Sequence, residues 1–347
     1  MLQKKKLTLL IVVFIYTVSI AWGQSSDSND SSIGLTRDQV LLFGGIPYLS
    51  FMGALGSLAI VPEQYKEPVL YSSLFLATIP HIIIDPVNGG INTALSGLAL
   101  AGAFGMSTLP DLYGDESLNH LLTNISMKYN MWSYYLGYAK ARSMAKPGEY
   151  EEKLESISFG DMFKSCYKPK ILLEPPVYIP LLAETALITG VFLLGDNSSA
   201  VWNTGEGYIG SNRVPILAGL LAVGAVGFLT NTFTGIGEEA LFRGFGYEEM
   251  KLSFGLVPAK ALDAVLFSGV HIPQEIMGEA SVGQIATMFA YRSLASLGLQ
   301  WAYDRGGLRS SAALHTWSNA VFTIIEYLFT SGTENEQQLS VNFTFSL

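Results

Sequence analysis

Glu238 and Glu239 stand side by side and Arg243 follows four residues later, within Gly237-Glu238-Glu239-Ala240-Leu241-Phe242-Arg243-Gly244. The cluster lies between an apolar run at 214–233 and another that begins near Ala259. Charges between such runs are costly to bury in a bilayer, so their presence asks for a role. On a helix Glu239 and Arg243 are i and i+4, where an ion pair forms. Glu238 points about 100° away and stays available as a base. Two histidines follow in apolar surroundings. His271 closes Phe267-Ser268-Gly269-Val270-His271, and His315 shares a helix face with Asn319 inside 309–330. A carboxylate and an imidazole can hold one water and take its proton. A second imidazole and a carboxamide can donate to the oxyanion formed when that water attacks a carbonyl. The same side chains offer a second chemistry, because two histidines and a glutamate (His271, His315, Glu238) suit a divalent metal such as zinc. The His-Glu-x-x-His pattern of soluble zinc peptidases is absent, as are a Gly-x-Ser-x-Gly elbow and a phosphate-binding loop.

The elements that must position these groups read as membrane helices. The chain has 347 residues, 49% hydrophobic and only 14% charged, where a soluble domain is nearer a quarter charged. With a mean hydropathy of +0.34 and apolar runs near 20 residues, it reads as an all-α polytopic bundle of about eight spanning or re-entrant helices. The 35 glycines suit close helix packing in lipid. A net charge of −9 without a basic patch excludes nucleic acid as a partner. Cys166, the single cysteine, excludes a disulfide framework within one chain.

Taken in order, 1–23 reads as a signal peptide, with Lys4-Lys5-Lys6, an apolar stretch from Leu7 to Ile20, and Ala21-Trp22-Gly23 before the cut. Residues 24–110 hold a polar tail and a three-helix membrane unit at 41–61, 69–84 and 91–109. Residues 111–175 are polar and aromatic, with eight Lys/Arg. They read as a cytoplasmic linker, in which 117–145 is either an amphipathic helix with Trp132, Tyr134, Tyr135 and Tyr138 at an interface or an ordinary polar loop. The core at 176–330 contains apolar runs 177–195, 214–233, 237–250, 259–272, 283–302 and 309–330. The loop 196–213 holds one basic residue, Arg213. Lysine and arginine bias thus puts 111–175 inside and 196–213 outside, with Glu238 and Glu239 near the cytoplasmic side. Residues 331–347 form a polar tail whose last seven residues alternate like a strand.

Glu-Glu-x-x-x-Arg, then Phe-x-x-x-His, then His-x-x-x-Asn, in this order on apolar segments, resembles the CAAX-protease and bacteriocin-processing (Abi) family of intramembrane endopeptidases. The resemblance covers roughly 177–330. It implies that Glu238 and His271 activate water, that His315 and Asn319 form the oxyanion hole, and that Glu239 and Arg243 support the site. It implies a membrane-associated peptide or protein as substrate and the lipid bilayer as setting. No cofactor is required if Glu238 and His271 activate the water; otherwise a divalent metal is. Asn319, a poor zinc ligand and a good oxyanion donor, favours the metal-free version. Cleavage of prenylated CAAX ends is not carried over, since the signal peptide points to a bacterial inner membrane. Two rivals stand beside this reading. One is a catalytically silent scaffold of the same fold, and the other a small transporter using Glu184, Arg292 and Glu326 as an intramembrane polar path.

Overall fold

The structure, a computed structural model, describes residues 34–58, 61–107, 116–151, 154, 156–194, 205–209 and 212–330. The signal-peptide stretch 1–23 and the alternating tail 341–347 lie outside the described residues.

Helices dominate. Helix α1 (Arg37–Leu58) starts on a reciprocal cap. The Thr36 amide donates to Gln39 Oε1 at 2.9 Å, and the Gln39 amide donates to Thr36 Oγ1 at 3.4 Å. Helices α2 (Glu63–Ile84) and α3 (Pro86–Ser107) follow across Asp85-Pro86, where proline sets the first turn of the new helix. Helix α4 is Glu116–Ser143. Two short helices, α5 (Phe159–Ser165) and α6 (Pro169–Leu172), lead to α7 (Pro175–Leu193). Strands β1 (Glu206–Ile209) and β2 (Asn212–Pro215) pair antiparallel, with Glu206 opposite Pro215. They deliver the chain into α8 (Ile216–Glu239), which runs without interruption through a wide π-helical segment (Ala240–Tyr247) into α9 (Glu248–Phe254). Helices α10 (Leu256–Gly269) and α11 (Ile272–Met277) precede α12 (Val282–Thr330), which breaks at Gly307, where φ is 69° and ψ −165°.

Among the described residues, three helical stretches are long and apolar enough to cross a membrane: Pro175–Leu193, Ile216–Phe254 and Leu256–Ile276. Their outward faces are apolar, for example Leu182, Val191, Leu221, Val257 and Val265, all exposed. Leu49, Phe75 and Leu98 on α1 to α3 are exposed in the same way. The interior holds Lys128, Glu238, Glu239, Arg243 and Asp263, each fully buried. Apolar outside and charged inside suits a lipid surround, where polar groups are kept only in the protein interior. This is an integral membrane protein of the all-α class.

Helix α4 covers most of the stretch 117–145, read either as an amphipathic helix or as a polar loop, and the helix is the alternative formed. It packs against α1, α2, α3 and α8, and Met127, Met131, Trp132, Tyr134 and Tyr138 are 1% exposed or less. The aromatic residues that suggested an interface fill helix–helix gaps instead. Trp132 packs on Tyr135 and Phe159, and Tyr138 lies edge-on to Phe245.

Candidate active site

Two glycines set the approach of three helices. A Cβ on Gly237 would lie 2.4 Å from the Lys128 carbonyl oxygen. One on Gly235 would lie 2.6 Å from Thr316 Oγ1 and 2.8 Å from the Ala312 carbonyl oxygen. Without side chains at these positions, the end of α8 touches α4 on one side and the second half of α12 on the other. Glu238 and Glu239 follow directly and are thereby delivered to Lys128 and His315. The helix then widens. All eight residues of the π-helical segment are buried, and such widened turns recur at functional sites.

Glu239 and Arg243 make the i, i+4 ion pair expected of them, 3.1 Å between Oε1 and Nη1. Arg243 is held on three further sides. Its Nη2 donates to Ser296 Oγ at 2.7 Å, its Nε lies 3.5 Å from Asp263 Oδ2, and its guanidinium sits 4.2 Å from the centre of the Phe267 ring. Asp263 also accepts from Gln300 Nε2 at 2.8 Å. This network fixes Glu239, which in turn accepts from His315 Nδ1 at 2.8 Å.

Glu238 is not the spare carboxylate that its helical angle suggests. Its Oε1 is paired with Lys128 Nζ from α4, and both side chains are fully buried. Its Oε2 is buried without a hydrogen-bond partner among the described residues, and faces His315 Nε2 at 3.6 Å. His315 therefore stands between the two glutamates. A carboxylate only accepts, so the Nδ1 that meets Glu239 carries a proton. In neutral His315 the Nε2 facing Glu238 then bears a lone pair, and donation from it requires the imidazolium. The same logic applies to His271. Its Nδ1 lies 2.7 Å from the Phe267 carbonyl oxygen, so the proton is there and Nε2 is the accepting atom.

His271, His315 and Asn319 line one cavity of about 400 Å³. Glu238 and Glu239 lie behind His315 rather than on the wall. Phe267 joins the two histidines, its ring 5.2 Å from that of His271 and 5.9 Å from that of His315. Glu184, Arg292 and Glu326 line the same cavity, and Arg292 pairs with Glu275 at 2.7 Å. Among the described residues, no group of three His, Cys, Asp or Glu side chains is spaced to hold a metal ion. A zinc ion would need Glu238, His271 and His315 to converge further than they do.

Sequence reasoning passed over Lys128, Ser296, Asn124 and Asp263. A signal for Lys128 exists: Asn124, Lys128, Met131 and Trp132 recur at helical spacing on one side of α4. A lysine on the apolar stripe of a helix needs a buried anion.

A buried carboxylate–imidazole network beside a cavity, carried on apolar helices, is a site equipped for acid–base chemistry. Residues 221–321 match the family model described as type II CAAX prenyl endopeptidase Rce1-like, a model of the CAAX protease family. The match spans Glu238, Glu239, Arg243, His271, His315 and Asn319. No curated protein and no solved structure matches the chain.

Proposed function

We propose that the protein is an intramembrane endopeptidase that hydrolyses a peptide bond of a membrane-associated protein or peptide. The observation that carries this reading is the buried Glu238 Oε2, without a hydrogen-bond partner among the described residues, opposite His315 Nε2. One water within about 2.8 Å of each would satisfy both. That water is next to the cavity in which His271 presents an accepting Nε2. Attack on a carbonyl carbon in the cavity forms the new C–O bond, and the water's proton passes to Glu238 or His271. Asn319, one turn past His315, donates to the oxyanion, and His315, held by Glu239 through Nδ1, joins it when its Nε2 carries a proton. When the C–N bond breaks, the stored proton goes to the leaving amine. Glu239 and Arg243 hold His315 in place. The remaining apolar helices complete a multi-pass bundle in a bacterial inner membrane.

The transporter reading keeps one observation, since Glu184, Arg292 and Glu326 line the same cavity. The test separates the two. Glu238→Ala, His271→Ala and His315→Ala are reconstituted singly in proteoliposomes. Cleavage of an internally quenched peptide with a farnesylated cysteine near its carboxyl end, and of membrane-anchored bacterial peptides, is measured. Cleavage by wild type and its loss in all three variants supports the peptidase. Wild-type rates in all three sink it.

A further inference from the structure

We propose that Lys128 is a positioning residue of the hydrolytic site: it fixes one oxygen of Glu238 so that the other is presented to water. This rests on the peptidase reading above and adds a part that comes from outside the matched segment 221–321.

Three observations converge on it. First, the Lys128 ammonium is paired with Glu238 Oε1, with no exposure on either side chain. A lysine taken wholly out of water is costly, and removal of one partner of such a pair strands the other. Second, the two oxygens of Glu238 are engaged differently. Arg243 is engaged by Glu239, Asp263 and Ser296, whereas the Lys128 ammonium pairs with Glu238 at Oε1. Oε2 is therefore left as the acceptor on the His315 side. A glutamate anchored by one oxygen cannot rotate about its terminal bond without breaking the pair, so the reacting oxygen has one location. Third, the backbone supports the side chain. Gly237, next to Glu238, lies against the Lys128 carbonyl, so the two main chains are held at the point where the side chains pair. Asn124, one turn before Lys128 on α4, lines the cavity and has a buried Oδ1 without a partner among the described residues. One side of α4 thus contributes both to the cavity and to the glutamate behind it. The hydrolytic unit is α4 together with α8, α10 and α12.

The experiment compares wild type, Lys128→Gln, Lys128→Met and Lys128→Arg in proteoliposomes on the farnesylated quenched peptide, with monodispersity in detergent and melting as folding controls. The expected result for the neutral variants is a kcat reduced by about tenfold to a hundredfold, the scale of a misplaced reacting group. KM should stay within twofold, since Lys128 is not on the cavity wall. Lys128→Arg keeps the charge and should hold kcat at least fivefold above Lys128→Gln. A neutral variant with kcat within twofold of wild type overturns the proposal, as does an arginine variant as impaired as the glutamine one. Loss of folded protein in both neutral variants assigns Lys128 to the fold and overturns it too. Normal activity in Lys128→Gln with none in Glu238→Ala would remove this inference and leave the peptidase standing. No cleavage by wild type would remove both.

Discussion

Replacing Gly237 by alanine tests whether the approach of α4 to α8 sets the site. The new Cβ would sit 2.4 Å from the Lys128 carbonyl oxygen and 2.9 Å from its carbonyl carbon and Cα. These are backbone atoms of a long helix, so no side chain can swing aside. Ordinary contact begins near 3.4 Å, and the difference, 3.4 − 2.4, asks for about 1 Å of separation. Overpacking of this kind costs about 1–3 kcal/mol. The same displacement draws Lys128 from Glu238 and shifts the reacting oxygen, for which about a hundredfold loss of turnover is the expected scale. Gly269 provides the control. It lies two residues before His271, yet a Cβ there meets nothing within 4 Å. Gly269→Ala should keep wild-type turnover within threefold and melt within a few degrees of wild type. Both variants are assayed in proteoliposomes on one peptide, with melting followed in detergent. Wild-type turnover and melting in Gly237→Ala would refute the reasoning, because the contact would then not constrain the glutamate.

Arg243→Met removes the cation from a fully buried network with Glu239 and Asp263, and should cost about 3–5 kcal/mol, read as a lower melting temperature. Gly307→Ala forces a side chain onto φ 69°, ψ −165°; about 1–3 kcal/mol of strain is expected, again visible in melting and not in KM. Burial pushes the Cys166 thiol up from 9.0 to about 11. Native protein should therefore resist maleimide at pH 7 and react on unfolding, a difference that mass spectrometry reads. Because the folded pKa lies above the unfolded one, the neutral thiol's advantage is complete below pH 9 and is lost as pH rises through about 11. Cys166→Ser should flatten any fall of stability across that window.

Much of the helical plan could be read from apolar run length. The run 177–195 falls on α7, 259–272 on α10, and 283–302 with 309–330 on the two parts of α12, because twenty apolar residues have one economical structure in lipid. The pair Glu239–Arg243 was legible because it is local. Lys128 was not: it meets Glu238 across 110 residues, and nothing short-range in either sequence names the other. Its segment was read by average composition, and eight basic residues among 65 hid the two that are buried, Lys128 and Arg142. The π-helical widening was not read either, since a helix pattern in the sequence does not tell a π turn from an α turn, and all eight residues, Arg243 included, are buried. Arg292, read only as part of a polar path, pairs with Glu275, which lies on the short helix α11 after Pro273, beyond any periodic signal.

The buried state of Cys166 makes the protein its own background for chemical labelling. It is the chain's single cysteine, and it is 0% exposed. A cysteine introduced at Pro147 or Glu206, both at exposed positions, would be the one thiol open to reagent. Impermeant maleimide applied to intact cells, then to opened ones, would report the side on which each position lies. The turn at 146–151 and the hairpin at 206–215 could so be assigned to opposite faces of the membrane, or to the same one, in a protein otherwise unaltered.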